Sequence, residues 1–176
     1  MNAIKILLFA LPVLFYGCEE DDLTEIKFNG TGGMSCLVDG KVMNNVSKNT
    51  FCEFVLLNDG IQALKLGFSD DDINNYTFEF IDLQAYAIDT DNLEGVVFLM
   101  GGKETSESYG VYQFGSSKYK TNSMHTGELK VLYFDRVKNV IGGTFWFDAV
   151  NNGERVNIRD GRFDIPVKNV QKRIPG

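Results

Sequence analysis

The sequence predicts an all-β protein: a single antiparallel β-sandwich or incompletely closed barrel that ends in a bulged C-terminal meander. Three observations carry this reading. Short runs alternating apolar and polar residues recur along the chain between turns rich in Gly, Asn and Asp, and no run sustains a helical period. The composition suits packed sheets, with 14 Phe and 7 Tyr against 3 Pro in 176 residues. The stretch from Val140 to Ile165 reads as two antiparallel strands whose faces can be matched position by position.

That stretch is tested by parity, because side chains alternate across a strand and a slip of one inverts every face. Asn152-Gly153 is a two-residue hairpin signal, since both positions must accept positive φ. The loop sets Ala149 opposite Val156 and Phe147 opposite Ile158, while Asp148 meets Asn157 and Trp146 meets Arg159 on the other face. Phe163 and Ile165 then fall out of step with Val156 and Ile158. One extra residue at Asp160-Gly161 restores the parity, with Gly161 supplying the left-handed conformation that such a bulge often needs. Phe163 then covers Gly143, and Ile165 meets Ile141. The preceding strand, 128–134, is expected to set Val131 opposite Phe145 and Leu129 opposite Phe147. Lys130 then lies beside Trp146, and an outer row Lys130–Trp146–Arg159 forms with Arg162 close by. Leu132 and Phe134 share that face, so a second layer is expected over part of it.

From the N-terminus, residues 1–17 read as a lipoprotein signal peptide: Lys5 gives a short positive region, 6–16 are almost wholly apolar, and Gly17-Cys18 follows. A Cys directly after a small residue resembles a bacterial lipobox, so Cys18 is the expected lipidation site and the membrane the expected partner. Residues 18–33 are expected to be an acidic tether and linker, opening with Glu19-Glu20-Asp21-Asp22. The β domain spans 34–167, and 168–176 is a basic tail. Within the domain, Asp39-Gly40 marks a hairpin, 51–57 an apolar strand buried on both faces, and Leu64, Leu66 and Phe68 a half-buried strand. Residues 69–72 read as a loop, 76–80 as a strand, 82–90 as strand or helical turn, 96–100 as a buried strand, and 109–121 as a hairpin around 115–117.

Besides Cys18 the chain has Cys36 and Cys52. An even pair in an oxidising compartment is most simply a disulfide, worth about 3 kcal/mol for a loop of this length. A metal site is a poor alternative, since His125 is the one imidazole. His125 falls in a polar turn without a nucleophile motif around it, so no catalytic residue, cofactor or metal is expected. Asp70-Asp71-Asp72, and separately Asp89, Asp91 and Glu94, offer hard oxygens but not the spacing of a known calcium loop; loop solvation accounts for them better. The formal net charge of −7 argues against nucleic acid as a partner.

The pattern Gly127-x-Leu129-x-Val131, Gly143-x-Phe145-x-Phe147-x-Ala149, Val156-x-Ile158-x-x-Gly161-x-Phe163-Asp164 resembles a family of small Bacteroidota lipoproteins of unknown function. The resemblance covers roughly residues 109–165 and implies a fold, not an activity. Trp146 and Arg159 stand where small polar residues are commoner in that pattern. By resemblance too, an acidic run just after the lipidated Cys implies export to the outer face of the outer membrane, with a periplasm-facing anchor as the alternative. The functional expectation is a membrane-anchored, non-enzymatic binding module for a glycan or other extracellular ligand. Trp146 would serve as the aromatic platform, and Lys130, Arg159 and Arg162 would hold anionic groups. The alternative is a protein-interaction subunit of an envelope assembly, or an immunity or inhibitor protein.

Overall fold

The computed structural model describes residues 23–44, 49–57, 60–72, 77–102 and 107–168. The signal peptide, Cys18, the acidic run and residues 169–176 of the tail lie outside the described residues. Among the described residues eleven strands form: β1 (Gly33–Val38), β2 (Lys41–Asn44), β3 (Thr50–Leu56), β4 (Gln62–Asp72), β5 (Thr77–Ala85), β6 (Val97–Met100), β7 (Tyr109–Phe114), β8 (Ser117–Lys120), β9 (Gly127–Asp135), β10 (Val140–Asn151) and β11 (Glu154–Pro166). All belong to one antiparallel sheet in the order β2-β1-β11-β10-β8-β7-β5-β4-β3, with β9 on β10 and β6 on β9 as a branch. The sheet curls strongly into an open half-barrel. Of the two architectures expected, the incompletely closed barrel is the one formed. Beyond β11 the chain reaches the far edge, where Lys168 N donates to Cys52 O at 2.7 Å.

The β10–β11 hairpin has the expected register, with Phe147 on Ile158, Ala149 on Val156, Gly143 on Phe163 and Ile141 on Ile165. Asn152 and Gly153 both have positive φ, +49° and +90°, whose twist matches that of the strands they join. Asp39 (+47°) and Gly40 (+81°) repeat the device between β1 and β2. The bulge falls where parity demands, setting Arg159 and Asp160 together against Trp146. Its left-handed residue is Asp160 (φ +50°) rather than Gly161. Gly161 serves by its size instead: a Cβ there would meet the Phe145 ring at 2.5 Å.

The expected β9 register is corrected. Leu129 pairs with Phe145 and Val131 with Gly143, so Glu128, not Lys130, stands opposite Trp146. The four-residue loop 136–139 sets Phe134 opposite Ile141, and continuing that register would put Leu129 opposite Trp146 on the wrong face. A second bulge at Leu132 shifts the strand by one and returns Val131 and Leu129 to the core. The same bulge turns Phe134 inward, where its ring meets Phe54 at 5.5 Å, while Tyr133 packs against Phe28 at 5.3 Å. No second layer covers the outer face through Phe134.

The concave side holds the core. Phe68, Phe147, Phe163, Leu64, Leu66 and Met34 are all fully buried, each contributing about 1.5–3 kcal/mol by leaving water. Three sequence expectations fail around it. Edge strand β3 buries only Cys52 and Phe54, so it is covered on one face rather than two. The aspartates 70–72 continue β4 instead of forming a loop, pairing with 77–79. The strand read at 76–80 does form, within β5, whose core face is Ile81, Leu83 and Ala85 while Phe78 and Phe80 lie outside in a stacked row with Phe51. On β6, Val97 and Leu99 are exposed, because they face the convex side beside Lys130 and Glu128.

Cys36 and Cys52 correct the disulfide expectation: both are free, fully buried thiols within one core. Burial raises both thiols well above their ordinary value, keeping them protonated and inert. They act as small hydrophobes, a use of cysteine that counting residues does not distinguish from pairing. Alkylation in denaturant without reductant should modify both, and a cross-linked peptide in the mass map would contradict it. Neither should react in the native protein.

The linker is also corrected. Residues 23–32 pack on the outer face of β1, β11 and β10 instead of hanging free. Asp164, fully buried, accepts hydrogen bonds from the backbone N–H of Lys27 (2.9 Å), Asn29 (3.4 Å) and Gly30 (2.7 Å). Phe28 (φ +54°) and Gly30 (φ +78°) provide the alternating backbone that converges such donors on one anion. Ser35 Oγ accepts from Thr24 N at 2.8 Å, and Leu23 is buried.

Candidate ligand-binding groove

β10 organises the site. Its first half pairs with β9, from Val140 to Phe147, and near its end Val150 meets Lys120 of β8. The sheet therefore splits along β10, and a groove opens over its convex side at the split. Two rows of side chains cross this face. One runs Val97–Lys130–Thr144–Arg162–Ser35, and the next runs Leu99–Glu128–Trp146 and ends at the β11 bulge.

A hollow of about 390 Å³ brings all four expected residues together: Trp146, Lys130, Arg159 and Arg162. It also holds Glu128, Thr144 and Asp160, which sequence reasoning missed. Trp146 is 37 % exposed and lines the hollow. Arg159 lies against the ring, its guanidinium carbon 5.4 Å from the centroid.

The role expected of Arg159 changes. Its nitrogens donate to Phe147 O (3.1 Å), Ile158 O (2.8 Å) and Asp148 Oδ1 (2.5 Å), with Asn157 Oδ1 at 3.5 Å. Asp148 also holds Arg155. Arg159 is thus a positioning residue that fixes the indole, and its two terminal nitrogens are already engaged. The bulge explains this, since it sets Arg159 against the tryptophan and its side chain reaches back to the β10 backbone. Lys130, exposed, and Arg162, half-buried, are the cations presented to the hollow.

A second hollow of about 470 Å³ shares Trp146 and Glu128 with the first and adds Tyr86, Leu99, Glu107 and Thr126. A third, about 590 Å³, shares Gly101, Gly102 and Glu107 with the second and continues past Lys120, Asn122 and Ser123. The three form one groove with Trp146 between the first two. An aromatic face ringed by carboxylate, hydroxyl and cationic groups suits a polyhydroxylated ring, which offers apolar C–H faces and polar edges together.

The other sequence candidates lie elsewhere. His125 sits in a turn where Asn122 Oδ1 accepts from the N–H of Met124 and His125 and lies 3.1 Å from His125 Nδ1. Asp89 accepts from Asp91 N and from Asn92 Nδ2, and Arg136 pairs with Asp91, so this loop's carboxylates serve its own turn. Among the described residues no group of three or more His, Cys, Asp or Glu is placed to hold a metal ion.

A separate hollow of about 380 Å³ at the open end of the half-barrel holds Asp70, Glu79, Tyr112 and Lys41. Burial and the neighbouring Asp70 hold Glu79 above the ordinary carboxylate range, opposed by a hydrogen bond from Tyr112 and by Lys41. A raised carboxyl favours the fold while protonated, so its contribution is present below the ordinary value of 4.5 and lost as pH rises through the raised one. Glu79→Gln should therefore melt about 1–2 °C higher than the parent protein at pH 7, and the gap should close in acid. Equal melting temperatures at both pH values would contradict this.

Fold and site together define an open antiparallel half-barrel with a polar, aromatic-centred groove on its convex face. Compared with known protein families, curated proteins and solved structures, the chain matches none.

Proposed function

We propose that this chain is a non-enzymatic glycan-binding protein, anchored by lipid at Cys18 and displayed at the outer membrane. The observation that carries the binding reading is the concave groove around Trp146, a partly exposed indole held in place by Arg159. The signal-like residues 1–17, the Gly17-Cys18 junction and the acidic run after it support the anchoring, as does the strand pattern resembling small Bacteroidota lipoproteins. The groove's carboxylates suit binding better than hydrolysis. Asp160 is exposed and Glu128 half-exposed, whereas a general acid at neutral pH is usually a desolvated carboxyl. Calorimetric titration of the protein with a panel of soluble polysaccharides is expected to give saturable binding to at least one, with no release of reducing ends. No binding across the panel, or turnover of the bound glycan, would overturn the proposal.

A second reading, a protein-interaction subunit, draws on β6. This short edge strand exposes Leu99 at 75 % and Val97 at 43 %, an apolar strip beside Trp146 that a partner strand would extend. A Val97→Lys/Leu99→Lys variant that loses a partner protein but keeps glycan binding would favour that reading.

A further inference from the structure

We infer that the groove takes an uncharged oligosaccharide, and that Glu128 and Lys130 recognise the hydroxyls of the ring seated at Trp146. The inference rests on the glycan reading above and adds to it the charge class of the ligand and the pair of side chains that orients it.

The charge class follows from how the groove's charges are already used. The first and second hollows share Trp146, and among the described residues they are lined by three cations, Lys130, Arg159 and Arg162, and three carboxylates, Glu107, Glu128 and Asp160. Arg162 and Glu107 already have partners in the protein. Both terminal nitrogens of Arg159 are held by Asp148 and by backbone carbonyls. An acidic ring would therefore gain Lys130 and meet two carboxylates, Glu128 opposite Trp146 in the register and Asp160 at the bulge. It would also approach a chain of formal net charge −7. An amine fares no better. The guanidinium of Arg159 lies against the indole, 5.4 Å from its centroid, and Lys130 lines the same hollow, so a ligand cation at the ring meets two like charges.

Glu128, half-buried, and Lys130, exposed, stand two residues apart on the convex face of β9, opposite Trp146 and Thr144 of β10. The carboxylate only accepts and the ammonium only donates, whereas a hydroxyl does both. Two neighbouring hydroxyls on one ring edge satisfy the pair together, one donating to Glu128 and the next accepting from Lys130, and bring no charge into the groove. Hydrogen bonds to charged partners are the strong ones, so this pair orients the ring. Thr144 lines the same hollow with a hydroxyl of either sense. Trp146 and Glu128 wall both hollows, so a ring fixed on them extends into either.

The test compares three oligosaccharide series of matched length against the full-length protein by calorimetry: neutral hexose and N-acetylhexosamine chains, uronate-bearing chains, and chains with free amines. A neutral chain should bind tightest, with an affinity that stays constant as salt is raised. Glu128→Gln and Lys130→Gln should each weaken that binding about fivefold, because an amide keeps a hydrogen bond to the ring but loses the charge behind it. Both variants should keep the circular dichroism of the parent protein. The two substitutions move affinity in the same direction for an uncharged ligand and in opposite directions for a charged one. Equal or tighter binding of the uronate or amine series, or opposite responses to the two substitutions, would overturn the charge class. Unchanged affinity in both variants would overturn the assignment of the pair. Each of those results leaves glycan binding itself standing. Failure of all three series to bind overturns this inference, and the broader polysaccharide panel then decides the reading beneath it.

Discussion

Replacing Asp164 with alanine is expected to destabilise the protein by about 3 kcal/mol and to release the segment that packs over β10 and β11. The carboxylate is fully buried and receives three backbone N–H groups from residues 27–30. Each donor stranded by the change costs about 1–3 kcal/mol if it stays buried. The segment will instead lift into water, which limits the total. Lifting it also uncovers Gly142, against which Ile26 and Phe28 pack, and separates Phe28 from Tyr133. Two readouts follow: a lower denaturant midpoint, and rapid tryptic cleavage after Lys27 where the parent protein resists. Unchanged stability with unchanged proteolysis would show that Asp164 does not hold this segment.

Trp146→Ala should separate binding from folding. With 37 % of its surface exposed, the indole still buries most of its area on the sheet besides its contact with Arg159, so its loss should cost about 2 kcal/mol, a fall of roughly 4–8 °C in Tm, and leave the protein folded. Its removal from the centre of the groove should cost about 2 kcal/mol of binding, near 30-fold in Kd. A variant that unfolds would make Trp146 a core residue, and one that binds normally would remove the groove from the account.

The C-terminal meander was legible because its turn and its parity are local. Asn152-Gly153 sets the register, and the apolar faces of 140–165 reveal the missing residue at the bulge. The β9 register was not legible, because two errors cancel in parity. Loop 136–139 and the bulge at Leu132 each move the strand by one residue, so Leu129 and Val131 still point inward while every partner changes by two. That slip is why Glu128 was missed and Lys130 was set opposite Trp146. The buried face of β5 was not legible either, because a ring row on an outer face alternates as a core strand does, and the stacking of Phe80 on Phe51, distant in sequence, is what shows the side it occupies. Tyr86 and Glu107 reach the groove from β5's end and the approach to β7, and nothing local in those segments points to Trp146. The docking of 23–32 depends on a carboxylate more than 130 residues away, and a glycine-rich linker otherwise reads as unstructured.

Trp146 is the one tryptophan in the chain, so its fluorescence reports the groove alone. The account predicts that titrating the intact protein with soluble polysaccharides shifts the emission to shorter wavelength and shields it from acrylamide for at least one of them, in a saturable way. Emission and quenching that stay constant across the whole polysaccharide panel would contradict the assignment of this face to glycan binding.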